Sequence, residues 1–236
     1  MHHNIADGRI VSLPSNYTRV SSRDYLEIGR GDGLYVKRPT PYWFTVMKGV
    51  FGRSARWIAA EQCARGQQSI REPTRDERPP WIMFLMRRRY PDLAKETSDP
   101  WDVHFLAICR LHRQRLKRQF GKSIPDTGFV HCRESGEATR PAIYQQAIEG
   151  KGLWDMLDQQ SGELLPSWQA DGATIAHWLS GYIASDDVDC SPSNFVFSTK
   201  QDILYYIDSK PTFVRTRRTN DHNKRNIKEY ILDKFL

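Results

Sequence analysis

The segment 187–208, DVDCSPSNFVFSTKQDILYYID, restricts the fold of this chain more than any other part of the sequence. Two short apolar runs, 194–197 and 203–207, are separated by the polar STKQD, and this pattern predicts a β-hairpin. Asp189 lies in the loop before the hairpin, and Asp208 ends its second strand. The hairpin would therefore return the chain so that Asp208 faces Asp189 and the start of the first strand.

The spacing of polar side chains in this segment indicates a particular chemistry. Asp189 is followed five positions later by Asn194, so one tight loop delivers a carboxylate and an amide together. Transfer of a phosphoryl group needs a base beside two hard oxygen ligands for Mg²⁺, and Asp189, Asn194 and Asp208 are of those types. The alternative is that Asp189 and Asn194 only form a turn around Pro192, with Asp208 a residue at a strand end.

The rest of the sequence predicts antiparallel strands segregated from helices, which is an α+β arrangement. Strands are predicted at 9–20, at 24–38 as a hairpin turning at glycines 29, 31 and 33, and at 81–86, 127–133 and 141–148. Helices are predicted at 54–69, from Pro100 to Phe120, at the segment LWDMLDQQ, at 168–184 and over the last 14 residues. Two lobes joined near 147–152 follow from this order, the first spanning 1–147 and the second 148–236.

The pattern D-x-x-x-x-N, a β-hairpin and then Ile207-Asp208 resembles the protein-kinase-like superfamily. Within it, the chain is most similar to the compact branch of lipopolysaccharide-core kinases and aminoglycoside-type phosphotransferases. The segment 143–157, IYQQAIEGKGLWDML, resembles the last N-lobe strand, the interlobe hinge and the first C-lobe helix of that family. The resemblance extends over roughly 140–236 and implies a bilobal kinase-like fold with an antiparallel N-lobe sheet and a reduced helical C-lobe.

The resemblance implies an ATP-dependent kinase with Mg²⁺ as cofactor. Asp189 would be the catalytic residue, and Asn194 and Asp208 would hold the metal. The acceptor would be a hydroxyl of a sugar or a lipopolysaccharide-core-type glycan, with a protein hydroxyl as the alternative. The basic stretch Arg215-Thr216-Arg217-Arg218 just after Asp208 could contact an anionic acceptor, a glycolipid or a membrane surface.

Two positions depart from the family pattern. Asp187 stands where most members have a histidine two positions before the catalytic Asp, and Ser209-Lys210 stands where protein kinases have Phe-Gly. These departures motivate a second hypothesis, a catalytically weak pseudokinase that serves as a binding or scaffold module. Retention of Asp189, Asn194 and Asp208 argues against it.

The N-terminal half offers candidates for the residues that would bind the nucleotide. Lys37 follows the glycine turn on a predicted strand and is the candidate lysine for the phosphates, with Glu61 of the 54–69 helix as its ion-pair partner. The alternative is that the 100–120 helix takes the role of the kinase αC helix and that Glu61 lies in an insertion. The glycines before Lys37 are interpreted as a plain hairpin turn rather than a loop over phosphates.

Composition limits the partners and the compartment. Four isolated cysteines and an N-terminus without an apolar core of signal-peptide length predict a cytoplasmic protein, with the inner face of the membrane as a site of peripheral contact. The net charge of +7 suits anionic partners such as nucleotides. A nucleic-acid-binding function rests on this charge alone and is not favoured.

Overall fold

The structure is a computed structural model, and it describes residues 7–22, 26–40, 84, 87–97, 100–133, 139–208 and 217–236. The chain divides into two compact units. The first unit comprises Met1–Arg110 and Asp126–Ala147, and the second comprises Leu111–Pro125 and Ile148–Leu236. Helices accompany mostly antiparallel sheets, so the predicted α+β class is confirmed, and the architecture is compatible with a bilobal kinase-like fold.

The first unit contains a six-stranded sheet with the strand order β1-β5-β6-β4-β3-β2. All neighbours pair antiparallel except β1 and β5, which are parallel. Apolar side chains of β4, β5 and β6 form a core on one face of this sheet. The strands are β1 Ile10–Ser12, β2 Thr18–Ser22, β3 Leu26–Gly31, β4 Leu34–Pro39, β5 Thr127–Arg133 and β6 Arg140–Gln146.

The predicted glycine-rich hairpin is confirmed as β3 and β4, which pair from Leu26 opposite Pro39 to Gly31 opposite Leu34. Its turn is formed by Asp32 and Gly33, whose φ angles of 49° and 74° are those of a two-residue hairpin turn. Gly29 lies within β3 instead, where a Cβ would meet the ring of Tyr17. The three glycines therefore do not share one role at the turn.

The predicted long helix is confirmed as α1, Pro100–Phe120, and Gly121 ends it with a φ of 57°. Val103 and Leu106 on its apolar face are fully buried. The buried face of α1 does not include Leu111, which is 40% exposed. Arg113 is buried instead, at 4% exposure, although a basic residue in a long charged helix is usually exposed.

The second unit contains a three-stranded antiparallel sheet with the order β7-β8-β9, surrounded by helices. The predicted hairpin of the 187–208 segment is confirmed as β8 and β9. The segment LWDM is a short 3₁₀-helix, Leu153–Met156, where a longer helix was predicted. The helix predicted at 168–184 is confirmed as the α-helix Gly172–Ile183, which follows a 3₁₀-helix, Pro166–Asp171. The other elements are β7 Lys151–Gly152, α2 Gly172–Ile183, β8 Phe195–Ser198, β9 Ile203–Tyr206 and α3 Arg217–Ile227, which continues through a π-helical turn, Lys228–Leu232, and a last α-helical turn, Asp233–Phe235.

Aromatic side chains form the centre of the second unit's core. Tyr182 of α2 contacts Phe195 of β8 and Tyr206 of β9, with ring centroids 5.2 Å and 6.0 Å away. The Tyr182 hydroxyl donates to Ser123 Oγ at 2.7 Å, so this buried polar group is satisfied. The β8–β9 hairpin is thus fixed against α2 through the inward faces of both strands.

Two predicted elements fall largely outside the described residues. The helix at 54–69, with Glu61, lies entirely outside them, and of the strand at 81–86 only Phe84 is described, as helical and 67% exposed. Among the described helices, none has the length and apolar character needed to cross a membrane.

Gly150 lies just before β7 at a point of close backbone contact. A Cβ at this position would come within 2.3 Å of the carbonyl oxygen of Phe197. We expect Gly150→Ala to destabilise the protein by about 1 to 3 kcal/mol, the usual cost of overpacking. Gly181→Ala in α2 is the matched control, because a Cβ there meets no heavy atom closer than 3.9 Å and should stabilise by about 0.5 to 1 kcal/mol. Urea unfolding measures both, and equal stabilities would contradict the packing at Gly150.

His104 of α1 makes the protein's stability depend on pH. Burial lowers the pKa of His104 to about 4 from 6.5, so the folded state keeps the ring neutral while the unfolded state takes up a proton. The free energy of unfolding should therefore fall by about 2 kcal/mol between pH 7 and pH 5 through this residue alone. In urea unfolding, the free energy of unfolding of His104→Leu should fall less between pH 7 and pH 5 than that of the parent. His177→Leu, at an exposed position of α2, is the control and should behave like the parent. The same loss in all three proteins would contradict this assignment.

Candidate functional site

The loop between α2 and β8 is closed by hydrogen bonds among its own residues. The Ser191 amide donates to Asp189 Oδ1 at 3.1 Å, and the Asn194 amide donates to the Ser191 carbonyl at 2.9 Å. Pro192 begins a single 3₁₀ turn that ends at Asn194. The loop thus brings Asp189 and Asn194 together, five residues apart in the sequence.

The amide side chain of Asn194 has a defined orientation. Its Nδ2 donates to the Asp189 carbonyl at 3.1 Å, which ties the two residues directly. The Oδ1 atom lies on the opposite side of the amide group and is the atom that could bind a cation. The bond therefore restricts the orientation of the Asn194 amide group.

The hairpin brings Asp208 to the same end of the small sheet. Phe195 at the start of β8 pairs with Tyr206 at the end of β9, and the Ile207 amide donates to the Asn194 carbonyl at 2.8 Å. Asp208 follows directly and is buried, at 8% exposure. Asp189, Asn194 and Asp208 thus share one end of the β8–β9 hairpin, as the sequence predicted from its two apolar runs.

Tyr206 supports the loop from inside the core. Its hydroxyl oxygen accepts a hydrogen bond from the Asp189 amide at 3.0 Å. Burial, followed by the nearby Asp208 carboxylate, holds the pKa of Tyr206 well above its usual value of 10. The phenol therefore stays neutral, and its role here is to position the backbone of Asp189.

Asn220 of α3 holds the loop on both sides of Asp189. This buried side chain accepts from the Cys190 amide at 2.7 Å through Oδ1 and donates to the Val188 carbonyl at 2.9 Å through Nδ2. One turn along α3, Lys224 Nζ donates to the Ser185 carbonyl at 2.9 Å. The backbone immediately before and after Asp189 is thus fixed by one amide group.

Cys190 is next to the candidate base but is not suited to chemistry. Burial raises the pKa of its thiol to about 12, so the thiolate is not populated at neutral pH. The side chain is fully buried and its Sγ lies 3.9 Å from the Val188 carbonyl. Cys190 is therefore a packing residue.

Asp187, two positions before Asp189, lies at the surface. Its Oδ1 is 3.9 Å from the Arg115 guanidinium, and both side chains are well exposed. An exposed pair of this kind contributes little to stability. The backbone around Asp189 is instead bonded by the side chains of Asn220 and Tyr206.

Asn194 and Asp208 carry oxygen donors of the kind that Mg²⁺ binds. Within the described residues, no group of three or more His, Cys, Asp or Glu side chains could hold a metal ion. Mg²⁺ commonly takes only one or two protein oxygens and completes its shell with water and substrate phosphates. One carboxylate from Asp208 and one amide oxygen from Asn194 fit that requirement.

Of the two residues predicted to bind the nucleotide, the structure describes Lys37 but not Glu61. Lys37 lies in β4 of the first unit, opposite Ile143 of β6, and is buried at 5% exposure. A lysine is seldom buried unless its charge is paired, so Lys37 does not have the environment of an ordinary solvated surface lysine. Glu61 lies outside the described residues, and its ion pair with Lys37 stays a prediction.

Three supporting residues were not identified from the sequence. Asn220 and Arg113 lie in polar helical segments where nothing marks them as buried, and Tyr206 is one of several apolar residues of its strand. Arg113 donates to the carbonyls of Pro125 and Asp208, the latter at 3.5 Å. Only the helical spacing of Asn220, Lys224 and Ile227 could have indicated that one face of α3 is buried.

Comparisons with known proteins give no family for this chain. No protein-family profile and no curated protein matches it. A solved structure, the complex of Rv3197 with erythromycin from Mycobacterium tuberculosis, aligns with a TM-score of 0.42 and 11% identity, covering 91% of this chain. The alignment covers 55% of that protein, so the chain spans about half of its length. Similarity at this level assigns neither a fold nor a function.

Asn220→Ala should destabilise the protein by about 2 to 4 kcal/mol, because it leaves the Cys190 amide and the Val188 carbonyl buried without this partner. Urea unfolding provides the measurement. Asn226→Ala, on the same helix with an exposed side-chain bond to His222, is the control and should change stability by less than about 0.5 kcal/mol. Equal effects of the two substitutions would contradict the role of Asn220 in holding the loop on both sides of Asp189.

Proposed function

We propose that this chain is an ATP-dependent phosphotransferase that acts on a hydroxyl group. The observation that carries the proposal is the meeting of Asp189, Asn194 and Asp208 at one end of a hairpin that is anchored in an aromatic core. Phosphoryl transfer depends mainly on positioning and on neutralising phosphate charge, and these residue types supply both. Resemblance of the 187–208 segment to the kinase-like superfamily supports the same assignment.

In the proposed reaction, the Asp189 carboxylate orients the acceptor hydroxyl and accepts its proton. The acceptor oxygen forms a bond to the γ-phosphorus while the bond from that phosphorus to the β,γ-bridging oxygen breaks, and ADP leaves. Asn194 and Asp208 would hold Mg²⁺, which supplies charge neutralisation at the phosphate oxygens. Lys37 would contact the α- and β-phosphates, with Glu61 as its ion-pair partner.

The proposed acceptor is a sugar or lipopolysaccharide-core-type glycan, with a protein hydroxyl as the alternative. The family resemblance supports the glycan, and the basic stretch 215–218 after Asp208 suits an anionic acceptor or glycolipid. Peripheral contact with the inner face of the membrane from the cytoplasm would bring such a surface to a glycolipid. Nucleic acid remains the disfavoured partner because only the net charge supports it.

Asp189→Ala should lower phosphoryl transfer by about 10²- to 10⁴-fold, the usual contribution of a general base. Transfer of ³²P from [γ-³²P]ATP to a deacylated lipopolysaccharide-core oligosaccharide, and to water as hydrolysis, measures the rate. Asp186→Ala is the matched control, because this neighbouring aspartate is 99% exposed at its side chain. Equal rates for Asp189→Ala and the parent would exclude Asp189 as the base.

The second candidate is a pseudokinase that binds nucleotide and serves as a scaffold. The observation that favours it is Asp187, which pairs with Arg115 at the surface where the family has a histidine. The two candidates differ in turnover. Binding of MgATP with neither transfer nor hydrolysis above that of the Asp189→Ala variant would favour the pseudokinase.

A further inference from the structure

Arg113 is a buried cation among exposed ones. Its neighbours on α1, Arg115, Lys117 and Arg118, are exposed, whereas Arg113 is 4% exposed. A guanidinium does not lose its proton in proteins, so its burial is unfavourable unless hydrogen bonds and charges compensate it. An exposed Arg113 would not carry this desolvation cost. The contacts of the buried guanidinium therefore indicate what its position does.

Two backbone carbonyls are among the partners of Arg113. Its Nη1 donates to the backbone carbonyl of Asp208 at 3.5 Å, and its Nη2 donates to the backbone carbonyl of Pro125. The rigid fork of the guanidinium joins two chain segments at a fixed separation. Holding the carbonyl of Asp208 fixes the peptide plane that follows it, and so restricts where its own side chain begins.

The sequence after Asp208 lacks the apolar residue that follows the metal-binding Asp in protein kinases. Protein kinases follow the metal-binding Asp with Phe-Gly, and the packing of that Phe sets whether the site is active. Here Ser209 and Lys210 follow, and neither provides a large apolar side chain for the core. In this chain the carbonyl of Asp208 accepts a hydrogen bond from a side chain of α1.

We propose that Arg113 is a positioning residue that holds Asp208 in place for Mg²⁺ and does the task that an apolar anchor does elsewhere. The inference rests on the proposed function, because it assumes that Asp208 binds the metal. In this role Arg113 acts from α1, far from Asp208 in the sequence, and contacts neither the nucleotide nor the metal. Outer-shell partners of metal ligands typically change metal affinity by about 10- to 100-fold.

The test separates metal binding from nucleotide binding. Isothermal titration calorimetry gives the Kd for ATP with excess Mg²⁺ and the Kd for ATP with EDTA, and the Kd with EDTA divided by the Kd with Mg²⁺ reports the contribution of the metal. We expect Arg113→Met and Arg113→Lys to reduce this ratio by about 10- to 100-fold with little change in the Kd measured with EDTA. Lysine should not restore the ratio, because a single ammonium lacks the fork that joins two carbonyls.

Arg118→Met is the matched control, since Arg118 is exposed on the same helix, and it should keep the parent's ratio. Circular dichroism melting establishes that each variant is folded at the titration temperature. An unchanged ratio in folded Arg113→Met and Arg113→Lys would overturn the inference and leave the proposed function standing. Failure of both variants to fold would also overturn it, because Arg113 would then be a folding determinant.

The parent protein tests the assumption beneath the inference. Tighter binding of ATP with Mg²⁺ than with EDTA is expected. Equal affinities, or no binding under either condition, would contradict the proposed function itself, which distinguishes that failure from the failure of the Arg113 inference.

Discussion

The hydrogen bond from the Ile207 amide to the Asn194 carbonyl is the contact on which the candidate site depends. It closes the β8–β9 hairpin at the end where the loop of Asp189 leads into β8 and where Asp208 follows β9. The strands can hold this register because Phe195 and Tyr206 bury their rings against Tyr182 of α2. Register errors in such a hairpin would turn these aromatic side chains away from the core, so packing and pairing specify the same arrangement. The apolar core of the second unit therefore determines which polar groups meet at its edge.

Buried polar side chains then fix what the hairpin brings together. Asn220 bonds the backbone on both sides of Asp189, and Arg113 bonds the backbone carbonyl of Asp208. Each of them bonds main-chain groups at or beside Asp189 and Asp208, so the backbone that carries both carboxylates is held from two helices. Buried polar groups of this kind are costly when a partner is lost, which makes them sensitive positions for substitution. Because side chains of two helices hold its backbone, the short loop keeps a defined geometry.

The sequence predicted what depends on local pattern and missed what depends on tertiary contact. β5 from Thr127 to Arg133, α1 from Pro100 to Phe120 and the β8–β9 hairpin follow from alternation, helical spacing and turn residues. The placement of Asp189, Asn194 and Asp208 at one end of the hairpin was predicted because their spacing is local to one loop and one hairpin. Asn220 and Arg113 were not, because an amide or a guanidinium in a charged helix reads as solvated until a neighbouring segment buries it. The parallel pairing of β1 with β5 joins distant segments, and short-range patterning carries no signal for it.

The most direct measurement of the central claim is the thermal shift of the purified protein on adding MgATP, with Asp208→Ala as the comparison. A ligand that binds only the folded state stabilises it by about 2.7 kcal/mol at 100 times its Kd, which is readily visible in a melting curve. The account predicts a clear upward shift of the parent's melting temperature that is lost in Asp208→Ala. No shift in the parent, or the same shift in both proteins, would contradict a nucleotide and metal site at the end of the β8–β9 hairpin.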